Sequence, residues 1–351
     1  MDKVELKKRI ATGEPILHQD LSGMELAGFD LKGAHIEECS LAGANLSGTD
    51  LSEAYISSAD LTGANLSGAR LNSACITDVL LKGAVLTGAN LEEAEVAKSD
   101  LAGARLINAR LLSAEMTVVN LAQADMKGID MSETACTESD LSGTDLTGAQ
   151  LFRCDLTGCR FLGATLHEVQ AERAEFCRSD LSGLDFSGLN MQDADLTGAF
   201  LSGAILKGAN LTQANFSNAD LEGARLSGIT AENADFFRTR LVNTDLRGAM
   251  LKGCAFIEAD LTMADLTGAN LDSTIFLKAI CRAAKFTRCR LCYSDLSHAD
   301  IGGADLAFSN LTWAKLHATI TKGAMLKGAI VQNCKGTDPD LAEAEQWQPP
   351  F

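Results

Sequence analysis

The sequence predicts an all-β solenoid: a chain wound into about sixteen four-sided coils of twenty residues, closed by a short helix at each end. Three observations predict it. A leucine-like residue recurs at every fifth position from Leu21 to Val331, 63 positions without a slip; apart from Thr321, each is Leu, Ile, Val, Met, Phe, Ala or Cys. Glycine falls two places after that phase in 29 of its 31 occurrences, and a small residue, most often Ala, falls two places before it. Two columns set the size of a coil. Phe216, Phe236, Phe256 and Phe276, with Phe176 in phase, recur by twenty. Asp20, Asp60, Asp100, Asp140, Asp180, Asp220, Asp260, Asp300 and Asp340 recur by forty.

A period of five excludes the common elements. On an α-helix five steps turn the chain by roughly 500°, so the leucines would drift round every face. On a flat strand they would alternate faces, because five is odd. A chain that turns a corner every five residues keeps them all inward. Glycine suits a corner whose third residue needs φ > 0, so Leu66–Ala69 reads as a type II turn. The small residue then takes the second inward position. Both columns fit four pentapeptides per coil and neither fits a three-sided fifteen; rings stacked on successive coils would account for the phenylalanines. Proline is absent from 16 to 338, as expected where nearly every backbone N–H is needed for hydrogen bonding.

The elements follow in order. Residues 1–15 form an N-terminal cap and lead-in, with a helix over 2–12: Asp2 followed by Glu5 resembles a capping box, and Gly13 is a helix stop. Residues 16–335 form the coils. Residues 336–351 form a C-terminal cap, with a second helix from Asp338-Pro339 to about Trp347. It is placed to cover the last coils, where outward positions turn apolar at Ile320, Met325 and Ile330.

Composition narrows the function. Hydrophobic residues make up 46%, which excludes a disordered acidic tail, while aromatics are only 5%. No run of about 18 apolar residues could span a membrane, and the start lacks the apolar stretch of a signal peptide. The odd count of eleven cysteines suits thiols in the cytoplasm rather than a disulfide framework. The net charge of −17 argues against direct nucleic-acid binding.

Catalytic, cofactor and metal sites are not expected. Cys39, Cys154, Cys159, Cys254, Cys289 and Cys334 fall on the small inward position and Cys136 and Cys281 on the central one, so they act as core. Cys289 and Cys292 form a Cys-x-x-Cys whose members point in and out, and so cannot share a metal. His298 and His317, nineteen apart, lie on neighbouring coils with Asp338 nearby; they read as solvated surface histidines. The glycines are turn residues at fixed phase rather than a phosphate cradle, and a convex wall over a filled core offers no pocket, so an enzyme is not expected.

Two surface features remain. Between Arg238 and Arg290 nine basic residues face five acidic ones, and exposed aromatics follow. Arg282, Arg288, Arg290, Tyr293, Phe308 and Trp313 are therefore the candidate partner-binding residues; Ile275 and Ile280 also fall on an outward phase. The other reading is a solvated wall of scattered charges and rings. The second feature is the acidic column, Asp60, Asp100, Asp140, Asp180, Asp220, Asp260 and Asp300. Each Asp can accept the backbone N–H two residues on, an Asx turn. Alternatively the column is an acidic stripe read by a basic protein groove.

The decapeptide Ala-Asp-Leu-Thr-Gly-Ala-Asn-Leu-Ser-Gly at 59–68 resembles the pentapeptide-repeat family, as do residues 16–335, about nine-tenths of the chain. The resemblance implies a right-handed quadrilateral β-helix, a rod of about 75 Å at ~4.8 Å per coil. It implies a non-catalytic, rigid cytoplasmic scaffold for protein–protein interaction. Some members are acidic mimics of duplex DNA that bind DNA gyrase or topoisomerase IV, and members also pair as homodimers through the C-terminal end. Duplex DNA of about 75 Å would carry roughly 45 charges, well above the magnitude here. A third reading rests on residues 5–15 and 21–26, which resemble the lead-in of repeat proteins that accompany type VI secretion systems as adaptors or accessory proteins; the extra N-terminal domain common in those proteins is not in this chain.

Overall fold

The computed structural model describes residues 1–346. It divides into two units, residues 1–180 and 181–351.

The first unit opens with helix α1, Lys3–Thr12. Asp2 is its N-cap: one carboxylate oxygen accepts from the N–H groups of Val4 and Glu5 at 3.0 and 2.9 Å. The reciprocal half of the expected capping box is not made, because Glu5 pairs instead with Arg9 one turn on, at 3.1 Å. Gly13 at φ 69° ends the helix; its N–H and that of Glu14 satisfy the carbonyls of Ile10 and Arg9. Leu6 turns inward and is fully buried.

Beyond α1 the chain makes short parallel strands that repeat every twenty residues. The strands β1 (Ile16–Leu17), β2 (His35–Glu37), β3 (Tyr55–Ser57), β4 (Cys75–Thr77), β5 (Glu95–Ala97), β6 (Glu115–Thr117) and β7 (Ala135–Thr137) stack in chain order as one parallel sheet. Its register sets Ile16 beside Ile36, Ile56 beside Ile76 and Val96 beside Met116. The other faces carry single bridges at the same spacing, such as Asn45 to Asn65 and Asp50 to Arg70. The second unit repeats this from Asp185–Ile205 to Lys315–Lys335. This is the quadrilateral β-helix that a five-residue period with a twenty-residue coil requires.

The corners explain the glycines. At Leu66–Ala69 the Ala69 N–H donates to the Leu66 carbonyl at 3.0 Å, and Gly68 sits at φ 63°. Non-glycine residues take the same left-handed corner elsewhere, among them Glu53 (φ 60°) and Trp313 (φ 64°), at a cost of about 1–2 kcal/mol each. Up to Ala314 nearly all central and small positions are buried as read from the sequence, including Leu246, Ala249 and all eight inward phenylalanines. Phe216, Phe236, Phe256 and Phe276 stack with centroids 4.9, 4.7 and 5.0 Å apart.

The two ends differ from each other. Helix α2, Pro339–Gln346, starts at N-cap Asp338, whose side chain accepts from Asp340 and Leu341 N–H. The sequence places α2 over the last coils, but Ile320, Met325 and Ile330 stay about half exposed, and so do the inward-phase Leu326 (47%) and Val331 (51%). α2 instead lies beside the wall that carries His298 and His317. Asp340 belongs to this helix and not to the aspartate column. Cys334, expected in the core, is only part-buried for the same reason. Trp347 and the Pro349-Pro350-Phe351 end lie outside the described residues. No described helix is long and apolar enough to cross a membrane.

Candidate partner-binding site

The twenty-residue register sorts the candidate residues by face. Arg288 and Phe308 occupy one corner on successive coils, Arg290 bridges to Asn310, and Tyr293 and Trp313 occupy the next corner. These five residues share the face built over inward Leu291 and Leu311. The Tyr293 and Trp313 rings are parallel within 3°, with centroids 6.5 Å apart. They remain 64% and 45% exposed, and Phe308 56%. The left-handed corner positions of Tyr293, Phe308 and Trp313 turn these side chains outward. Phe308 also needs Gly328 below it, where an added Cβ would fall 2.7 Å from the ring. Arg282 is not on this face. It follows inward Cys281, two corners before Leu291, and so lies on the opposite side, where its Nε donates to Asp300 at 2.6 Å.

Ion pairs quench most of the basic cluster. Arg238 pairs with Glu258 at 2.7 Å, Arg247 with Asp245 at 2.7 Å and Lys285 with Asp265 at 3.3 Å. Arg240 bridges Asp220 and Glu222, and Arg290 reaches Asp272. With Arg282, six of the nine cations are thus engaged. Among the described residues, Lys252, Lys278 and Arg288 carry no ion pair. Arg288 is therefore the free cation on the aromatic face. Ile275 and Ile280 are partly exposed on other faces.

Local turn chemistry accounts for the aspartates. Oδ1 of Asp60, Asp100, Asp140, Asp220, Asp260 and Asp300 each accepts the N–H two residues on, at 2.9–3.1 Å. Asp50, Asp130, Asp245 and Asn65 make the same bond outside the column. The Gly302 N–H is the main cause that holds the Asp300 carboxyl below its ordinary value, against burial and with help from Arg282. The column is also broken by charge and by apolar residues. Lys82 and Asn120 contact Asp100 at 3.0 Å each, and Leu80, Phe200 and Ile280 stand exposed between the aspartates. Asp180 belongs to the same phase and makes contacts of its own.

The cysteines are all free, with Cys39, Cys136, Cys154, Cys159, Cys254, Cys281 and Cys289 buried. Burial pushes the Cys254 and Cys289 thiols up to about 12, which makes them poor nucleophiles and ligands. Cys292 points outward and is part-buried, so the Cys-x-x-Cys is divided as its phase predicts.

The structure does bring His298 and His317 together, with ring centroids 5.2 Å apart. The carboxylate between them is one that sequence reasoning missed. Glu345 of α2 accepts from Nε2 of both rings, at 3.1 and 3.2 Å. Asp338 contributes its backbone N–H, which donates to His317 Nδ1 at 3.1 Å, rather than its carboxylate. The phase of the two histidines was readable, but nothing signalled that the last turn of α2 would bring Glu345, 28 residues beyond His317, to them.

Comparison with known proteins gives one family. The family model described as pentapeptide repeats (8 copies) matches in overlapping segments through residues 20–228, and again at 232–272 and 279–317. No curated protein sequence matches the chain. Among solved structures, one similar chain is HetL, a pentapeptide repeat protein involved in heterocyst differentiation regulation in the cyanobacterium Nostoc sp. strain PCC 7120. It is 29% identical over 59% of this chain and 87% of its own, with TM-score 0.30. Full-length QnrB1, a plasmid-mediated fluoroquinolone resistance protein, is 17% identical over 71% of this chain and 96% of its own, with TM-score 0.27. A pentapeptide repeat protein of the Arabidopsis thaliana thylakoid lumen is 32% identical over 35% of this chain and 65% of its own, with TM-score 0.18.

Proposed function

Because the chain belongs to the pentapeptide-repeat family, we propose that it is a non-catalytic cytoplasmic scaffold that binds another protein on the face carrying Arg288, Arg290, Tyr293, Phe308 and Trp313. The observation that carries this is the grouping of three exposed rings and an unpaired arginine on one wall of the second unit. Aromatic and arginine side chains are the usual anchors of protein interfaces, and exposed apolar clusters are uncommon on walls that meet only water. Arg290 helps by holding the wall through Asp272, while Arg288 is free to meet a partner's carboxylate.

A second reading, an acidic mimic of DNA that binds gyrase or topoisomerase IV, draws on the net charge of −17. The ion pairs between coils and the apolar residues within the column weigh against it. The half-exposed last coil supports self-association through that end. One experiment tests these readings together: capture from native lysate at near-physiological salt, with mass spectrometry, using wild type and the double variant Trp313→Ala, Arg288→Glu. A protein held by wild type and depleted at least about tenfold by the variant is expected, since hot-spot losses reach 2 kcal/mol or more. Equal retention removes the proposed face. Recovery of topoisomerase subunits favours the mimic, recovery of type VI secretion components an adaptor, and recovery of differently tagged copies of this chain a homodimer.

A further inference from the structure

We propose that His298, His317 and Glu345 form a binding site for a divalent cation of the zinc class, which fastens α2 to the coils that carry the two histidines. The donor atoms of the three side chains all lie within 4.8 Å of one another. Each Glu345 oxygen faces one imidazole, at 3.1 Å from His298 Nε2 and 3.2 Å from His317 Nε2. Two imidazole nitrogens and a carboxylate oxygen are a ligand set that zinc takes at about 2.0–2.2 Å, with a fourth position left for water or another ligand. Calcium and magnesium favour oxygen alone. Two of the three ligands are already held in place. His317 is buried, and the backbone N–H of His298 donates to the His317 carbonyl at 2.8 Å, so the register of adjacent coils sets where both residues stand. Glu345 comes from a different element, so a cation here ties α2 to the wall by coordination.

The protons balance as follows. Without a cation, the Asp338 N–H donates to His317 Nδ1, so the ring proton is on Nε2 and donates to Glu345. His298 Nε2 also donates, because a carboxylate only accepts. When the cation binds, each neutral ring moves its proton from Nε2 to Nδ1 through solvent and gives its Nε2 lone pair to the metal. A ring that starts neutral releases no net proton. The proton now on His317 Nδ1 opposes the Asp338 N–H, so the Thr337–Asp338 peptide turns and presents its carbonyl to Nδ1. That supplies the second-shell acceptor that metal-bound histidines usually have. The Asp338 side chain stays in its capping role. Cation binding is therefore coupled to the backbone at the start of α2.

The test is calorimetric titration of the metal-free full-length chain with Zn2+, and with Co2+ followed by visible absorption. The variants are His298→Gln and Glu345→Gln, with Cys292→Ser as a control for the part-buried thiol; melting by far-UV circular dichroism confirms that each variant folds. The expected result is one cation per chain and a Co2+ spectrum without a thiolate charge-transfer band. Binding is expected to weaken at least about tenfold in each ligand variant and to be unchanged in Cys292→Ser. Amide exchange within 339–346 slows with Zn2+ in wild type and Cys292→Ser but not in the ligand variants. Absence of one-equivalent binding, wild-type affinity in both ligand variants, or a thiolate band overturns the proposal.

Discussion

The coil position that holds Ile36, Ile56 and Ile76 in the first unit is held by Phe216, Phe236 and Phe256 in the second, and the two units handle the next corner differently. In the second unit each ring is followed three places on by Ala219, Thr239 or Ala259, and that residue's N–H closes the turn onto the phenylalanine carbonyl at 2.9–3.2 Å. In the first unit the inward residue is narrower and the following one is often larger, as at Cys39, Val79 and Val119. There the strand runs a residue further, while the Glu38 N–H bonds to the Ser57 carbonyl on the next coil at 3.0 Å, just as Asn218 bonds to Phe237 at 2.8 Å in the second unit. The Val79 and Val119 N–H groups are met by the hydroxyls of Ser99 and Ser139, at 3.1 and 3.0 Å. The lesson is that the same position of the coil accepts two fillings, a phenylalanine with a closed turn or a narrower Ile, Val, Met or Cys with a strand that runs on.

The largest expected effect breaks this comparison at its ring side. Phe236→Ala removes a side chain stacked on both neighbours and should cost about 3–5 kcal/mol in denaturant unfolding; a loss below about 1 kcal/mol would mean that the column adds nothing to the core. A smaller effect sharpens the corner. Ser139→Ala leaves the buried Val119 N–H without its partner and should cost about 1–3 kcal/mol. Thr239→Ala keeps its own N–H bond in the turn and loses only a hydroxyl bond to Phe216, so about 0.5–1.5 kcal/mol is expected. Equal losses would refute the distinction between the two corners.

The smallest effect concerns what the units share. Ser22, by its side chain and then its N–H, holds the Asp20 carboxyl below its ordinary value, and the Ser52 hydroxyl does the same for Asp50. In the second unit the Arg247 guanidinium lowers Asp245. A carboxyl lowered in the folded state stabilises fully above its unfolded value of about 3.9, and that contribution is lost as the pH falls below it. Melting should therefore be level from about pH 8 to 5 and decline below about pH 4, with both units losing stability together. A decline that begins between pH 7 and 6 would point to other groups.

Much of this was legible because a fixed period converts sequence distance into direction. The Phe236 stack, the outward Tyr293–Trp313 pair and the division of Cys289 from Cys292 follow from counting. The same counting places Arg282 opposite Arg290. It also flags Arg240 with Glu222, and Arg290 with Asp272, each eighteen residues apart and hence on adjacent coils. What counting could not reach lies where the period stops. Glu345 has no phase, since α2 is free of the coil's register, and whether Leu326 and Val331 are covered depends on where that helix lands. The strand-like corner of the first unit was hidden for a different reason: its sign is the Ile, Val, Met or Cys that stands in place of leucine at Ile36, Ile56, Ile76, Val96, Met116 and Cys136, which resembles ordinary core variation.

The twenty-residue register also constrains how such a gene can change length. Loss or gain of a whole coil within a unit leaves every later side chain above the neighbour it had in kind, so rings stay over rings and Asx turns at their corners. A five-residue deletion keeps every leucine inward, yet it rotates all that follows by a quarter turn. The Tyr293–Trp313 pair would then swing to an adjacent wall while the protein still folded. In-frame lengths that are multiples of five but not of twenty are thus a route by which surface specificity is rewritten without a change of fold.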